Sequence, residues 1–143
     1  MTGEEGLSIS AETVLAIIGV AIIVVTFGVI LMRKIPKRIR SAHYVKKWRE
    51  IQKMCANKED WSHAIIHADM LLDEIMMKKK IVGKTMGERM VSVQKRFSAH
   101  EAVWDAHKLA NNLRQNSELK VTKPKIKSTL VAYRQALRDL GAL

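Results

Sequence analysis

The chain has 143 residues, with 25 Lys and Arg against 14 Asp and Glu, a formal charge of +11 and a single cysteine, Cys55. One cysteine excludes an internal disulfide and fits a reducing compartment, and the length excludes more than one compact domain beside any membrane segment. The mean hydropathy of −0.07 conceals a division. Residues 1–32 hold Glu4, Glu5 and Glu12 and no Lys or Arg, so all 25 cations fall in 33–143 against 11 acids, and the body carries +14. A body of that charge favours anionic partners: lipid head groups, nucleic acid or acidic proteins.

Residues 1–10, MTGEEGLSIS, are small and polar and read as an extramembrane tail. Ser10 is placed to cap a helix, with Glu12 near the positive end of its dipole. Val14–Met32 follows, 19 residues without a charge and with Thr26 as the one polar side chain. At about 1.5 Å per residue such a helix spans the roughly 30 Å hydrocarbon core of a bilayer. A core helix of a globular protein would show a polar face, and this run shows none. A cleaved signal peptide would need a basic start, a shorter apolar core and small residues at its end, whereas Arg33-Lys34 follows here. The run therefore reads as an uncleaved anchor over 11–33. Arg33, Lys34, Lys37, Arg38 and Arg40 follow it and no cation precedes it. By the positive-inside rule the tail lies outside and the body in the cytoplasm. The same five residues are candidates for binding anionic lipid. Pro36 breaks the helix within a basic linker over 34–41.

The body, 42–143, reads as about five helices, and no period-2 alternation suggests a strand. The first, about Ala42–Ala56, sets Tyr44, Trp48, Ile51 and Cys55 near one face. The second, about Glu59–Lys79, carries a stripe from Trp61 through Ala64, Ile65, Ala68 and Leu72 to Met76. Thr85 to Glu88 has the spacing of a capping box and opens a third, about Met86–Arg96. Ser98 to Glu101 has the same spacing and opens a fourth, about Ala99–Gln115. Thr122 and Pro124 start the fifth, whose stripe runs from Ile126 to Leu140, and Gly141 stops it.

Few residues offer chemistry. His63 and His67 are four apart, a metal-ligand spacing, but no glutamate follows His63 and they lie opposite the apolar stripe, so they read as solvated. Asp69, Asp73 and Glu74 read as helix-surface charge, with Asp69 and Asp73 open to pairing with cations of a neighbouring helix. Gly83, Lys84 and Gly87 lack the strand and the spacing of a phosphate loop. No nucleic-acid module signature appears. His107, Asn111 and Asp69 remain as a candidate polar site, with His107 on or beside the core and paired to an acid such as Asp69. No metal or other cofactor is implied.

Three stretches carry a resemblance: Trp61-Ser-His-Ala-Ile-Ile-His-Ala-Asp69 with Leu71-Leu-Asp-Glu74, Gly83-Lys-Thr-Met-Gly-Glu-Arg-Met90, and Val103-Trp-Asp-Ala-His-Lys-Leu-Ala-Asn111. Over 42–143 the chain resembles membrane-anchored helical proteins of small-genome candidate-phylum bacteria and, more distantly, HEPN-like helical bundles. Catalytic HEPN domains are ribonucleases, usually dimeric, with an Arg, a polar neighbour and a His a few residues later on one helix. The related stretch reads R-N-x-x-A-H after H-K-L. Here Asn111 matches, Ala110 stands at the Arg position and Gln115 at the His position. Neither can serve as a cation or as a general acid or base near neutral pH. The resemblance thus implies an all-α, HEPN-like bundle without nuclease activity. The function expected is a non-enzymatic interaction or scaffold module at the membrane, acting on a protein partner or as a homodimer. The alternative is a HEPN-like relic that binds RNA.

Overall fold

The computed structural model describes residues 10–34 and 41–143. It divides into an apolar helical unit and a helical body, with the boundary near residue 37.

The first unit is helix α1, Ala11–Lys34. Ser10 caps it: its hydroxyl oxygen accepts from the Thr13 N–H at 3.4 Å, and its carbonyl accepts from the N–H groups of Thr13 at 3.0 Å and Val14 at 3.2 Å. The 24 residues rise roughly 36 Å at 1.5 Å each. Ala11–Val29 is long and apolar enough to cross a membrane, and none of it is buried by the protein. Thr26 satisfies itself inside the helix, donating to the carbonyls of Ile22 at 2.8 Å and Ile23 at 3.0 Å. No side-chain donor of the run is thereby left unpaired, which hydrocarbon demands. Lys34, expected in the linker, belongs to the helix. The side chains of Arg33 and Lys34, and all of Pro36, Lys37, Arg38 and Arg40, lie outside the described residues.

The body holds α2 (Ser41–Met54), a 3₁₀ turn (Lys58–Asp60), α3 (Trp61–Lys78), α4 (Met86–Val93), a second 3₁₀ turn (Gln94–Arg96), α5 (His100–Gln115) and α6 (Lys123–Asp139). Five α-helices thus follow α1, and no strand occurs among the described residues. Helix α3 is the centre, packed by α2, α5 and α6, and α5 packs on α6. Its Ala64, Ile65, Ala68, Leu72, Ile75 and Met76 are fully buried. Each such large apolar side chain contributes about 1.5–3 kcal/mol by leaving water. Alanines recur four apart on the three central helices: Ala64 and Ala68, Ala106 and Ala110, Ala132 and Ala136, all buried. Small side chains at that spacing let helix backbones approach closely.

The ends of the helices show where local chemistry and packing compete. Thr85 accepts from the Glu88 N–H at 3.2 Å, as a capping box requires. The Glu88 carboxylate reaches back one residue further than the usual box, to the Lys84 N–H at 2.7 Å. The similar spacing at Ser98 does not cap. Ala99 takes the N-cap position without a side-chain bond. Both the N–H and the hydroxyl of Ser98 instead donate to Asp139 Oδ2, at 2.8 and 2.9 Å. A carboxylate from the end of α6 outcompetes the local turn, because a charged acceptor binds such donors more strongly than a neutral one.

Burial pushes the Asp139 carboxyl up, but the bonds from the Ser98 N–H, the Gln135 amide and the Ser98 hydroxyl outweigh it and hold it below the usual range. A lowered folded value means stabilisation that is complete above the unfolded value, about 3.9, and is lost as pH falls through the folded one. Asp139→Asn is therefore expected to cost about 1–2 kcal/mol near neutral pH. The gap between the two proteins should close progressively below about pH 4, read by thermal unfolding across a pH series.

Helix α3 closes with the Lys80 N–H on the Met77 carbonyl and the Ile81 N–H on the Met76 carbonyl, at 2.9 and 3.0 Å. That Schellman pattern needs a left-handed residue, and Lys80 takes it at φ 56°. Helix α6 closes the same way with Gly141 at φ 70°. Lys80→Gly should therefore stabilise the body by about 0.5–1 kcal/mol, since glycine adopts this conformation without steric cost. A rise in the denaturant midpoint with unchanged slope checks it.

Candidate functional site

Asp69 was expected on the helix surface and is instead buried, 1% exposed, within the apolar stripe of α3. A charge there must be fully partnered. His107 Nδ1 lies 2.8 Å from Oδ1, Tyr133 donates its hydroxyl to the same oxygen at 2.8 Å, and Arg114 Nη2 donates to Oδ2 at 2.6 Å. Helix α3 supplies the carboxylate, α5 the imidazole and guanidinium, and α6 the phenol.

Asn111 closes this set into a ring. Arg114 Nη1 donates to Asn111 Oδ1 at 2.8 Å, and Asn111 Nδ2 lies 3.2 Å from His107 Nε2. The cation fixes the amide: its donors need the amide oxygen, so the amide nitrogen faces His107. Nε2 then accepts, and the imidazole proton sits on Nδ1, where it donates to Asp69. His107, Asn111 and Arg114 follow one another at four- and three-residue spacings on α5, so one helical face presents all three to α3. Trp104, half-buried one turn earlier, meets the His107 ring edge-on at 6.2 Å. Burial, the Asp69 charge and the bond to it push the Tyr133 phenol far above its ordinary value. It stays a neutral donor at any pH the fold tolerates.

The structure thus brings together the three candidate residues, His107, Asn111 and Asp69, and adds Arg114 and Tyr133. A general base works through a lone pair open to a substrate proton. The His107 Nε2 lone pair is spent on Asn111. The hydroxyl of the cluster, the Tyr133 phenol, donates to Asp69. Its chemistry is that of a closed clamp across α3, α5 and α6.

A second clamp sits one turn further along α3. Arg89, 8% exposed, donates through Nε and Nη2 to the two oxygens of Asp73, both at 2.8 Å, and through Nη1 to the Gly83 carbonyl at 2.9 Å. This is the planar two-bond match of guanidinium to carboxylate. The third acid, Glu74, pairs with Lys47 of α2 at 2.6 Å. Both side chains are about a third exposed or more, so the pair contributes at most about 1 kcal/mol.

The other candidates stay apart. His63 and His67 are exposed, and no group of three or more His, Cys, Asp or Glu could hold a metal among the described residues. Burial pushes the Cys55 thiol up, which makes it a poor nucleophile near neutral pH. Comparison with protein-family models, with curated proteins and with solved structures finds no match.

Proposed function

We propose that the chain is a single-pass membrane protein whose α1 holds a small basic helical bundle at the cytoplasmic face of a bacterial inner membrane. The bundle serves there as a non-enzymatic interaction or scaffold module. The observation that supports this best is the closed ring of Asp69, His107, Asn111 and Arg114. The candidate polar site spends its hydrogen-bonding groups on itself, so function falls to the surface of the bundle. The uncharged run Val14–Met32 and the +14 body support the location and orientation, because cations that follow a span are retained in the cytoplasm.

Cross-linking of the full chain in native membranes tests the reading. The expected result is a stoichiometric cross-link to one protein partner or to a second copy. Recovery of neither overturns it. A species containing RNA in place of protein would favour the HEPN-like nucleic-acid reading, which the charge of the body supports; such binding should fall steeply with salt.

A further inference from the structure

Helices α2 and α6 do not close on each other along their whole length. Between them lies an open cavity of about 360 Å³, floored by Trp48 and Cys55 of α2, Trp61 at the start of α3, and Ile126, Leu130 and Val131 of α6. Its volume is that of a ligand or side-chain receptor site. Lys123, Lys127 and Arg134 line it from α6, and no acid lines it among the described residues. The three cations are exposed and make no ion pair among the described residues. Trp48 is 5% exposed and its indole N–H is a buried donor without a partner among the described residues. Such a donor costs about 1–3 kcal/mol unless an acceptor reaches it.

We infer that this groove receives an acidic amphipathic helix from a protein partner. The apolar face of that helix lies on the tryptophans and on Ile126 and Leu130, and its carboxylates lie along α6. Spacing decides between occupants. Lys123 and Arg134 are eleven residues apart, roughly 16 Å along the helix at 1.5 Å per residue. The head group of a lipid or fatty acid would meet the cations of one end only, whereas a helix of three turns meets them all. The central helix of a second copy is a poor occupant: Asp69, Asp73 and Glu74 of α3 are already held by Arg114, Arg89 and Lys47. An apolar groove with charged rails is a recurring receptor for a partner helix, with the charges selecting the sequence.

The inference rests on the interaction-module reading and names its partner class. The test uses the full chain in nanodiscs of zwitterionic lipid, so that no anionic lipid competes. The probe is a labelled 18-residue peptide with leucines on one helical face and glutamates on both flanks, titrated by anisotropy. Expected is saturable binding that weakens with salt, falls about tenfold in Lys127→Glu/Arg134→Glu and falls again in Val131→Glu. All three positions are exposed, so the variants should keep their helical circular dichroism. The groove assignment is overturned if a peptide with lysine in place of glutamate binds equally, if the double variant binds unchanged, or if a dodecanoate probe binds where the peptide does not. The membrane cross-linking separates the two claims. A partner captured equally by the wild-type chain and the double variant discards the groove and keeps the interaction module. No partner with either discards the module.

Discussion

Asp69→Ala should lower the stability of the body by about 3–5 kcal/mol, the range seen when one member of a buried ion pair is removed. The substitution removes little volume; its effect comes from what remains. The Tyr133 hydroxyl is fully enclosed, the His107 side chain is 12% exposed and Arg114 is 35% exposed. All three lose their acceptor, and the phenol has no route to water. Asp69→Asn should fall between the two, because an amide keeps the shape but turns one acceptor into a donor that faces either Arg114 or Tyr133. Tyr133→Phe alone should cost about 1–1.5 kcal/mol, and clearly less on the Asp69→Ala background. Denaturant unfolding of the full chain in nonionic micelles, followed by circular dichroism, measures all four. Loss of less than about 1 kcal/mol in Asp69→Ala would mean that the ring does not hold the three helices together.

Gly83→Ala should cost about 2–3 kcal/mol, since the strain of a forbidden backbone conformation and a steric overlap act together. Gly83 sits at φ 151°, and a Cβ there would lie 2.5 Å from the Arg89 nitrogen and 2.8 Å from the Glu88 carbonyl carbon. Both are backbone atoms of the first turns of α4, so no flexible side chain can yield. The Gly83 carbonyl also accepts from Arg89 at 2.9 Å, so a shift that relieves the overlap pulls on the clamp to Asp73. Gly87→Ala is the control. Its Cβ would meet only the Trp104 ring at 3.8 Å and the Thr85 hydroxyl at 3.9 Å, and alanine is the better helix former. It should be neutral or slightly stabilising in the same unfolding experiment.

These two positions also mark how far the sequence could be read. Helix number, order and most boundaries follow from the 3.6-residue period of the apolar stripes, a local property. The span at Val14–Met32 and the stop at Gly141 follow from equally local rules. Asp69 and Ser98 were misjudged because their partners are remote. The Asp69 burial depends on Tyr133, 64 residues away, and the role of Ser98 on Asp139, 41 residues away. A charge one step off an apolar stripe gives no local sign that a ring will form around it. Arg89 was hidden for the same reason: nothing near it in the chain announces Asp73 as a two-bond partner. The pairing of His107 with Asp69 was legible and is found at 2.8 Å, but the part of Arg114 and Tyr133 in closing the set was not.

The paired alanines of α3, α5 and α6, buried and four apart, repeat the same small side chain one turn along each helix. A helix shifted by one turn therefore sets an alanine where another alanine was, so these positions do little to fix one alignment. The ring around Asp69 allows no such slip. A displacement of α5 by one turn along α3, about 5.4 Å, would carry His107 and Arg114 out of reach of the carboxylate together. The buried charge thus acts as a detent, selecting one alignment of helices whose apolar faces would accept several. An all-apolar replacement of Asp69, His107, Arg114 and Tyr133 should accordingly fold to comparable stability. Its methyl resonances should show more than one alignment of α5 on α3, where the native chain shows one.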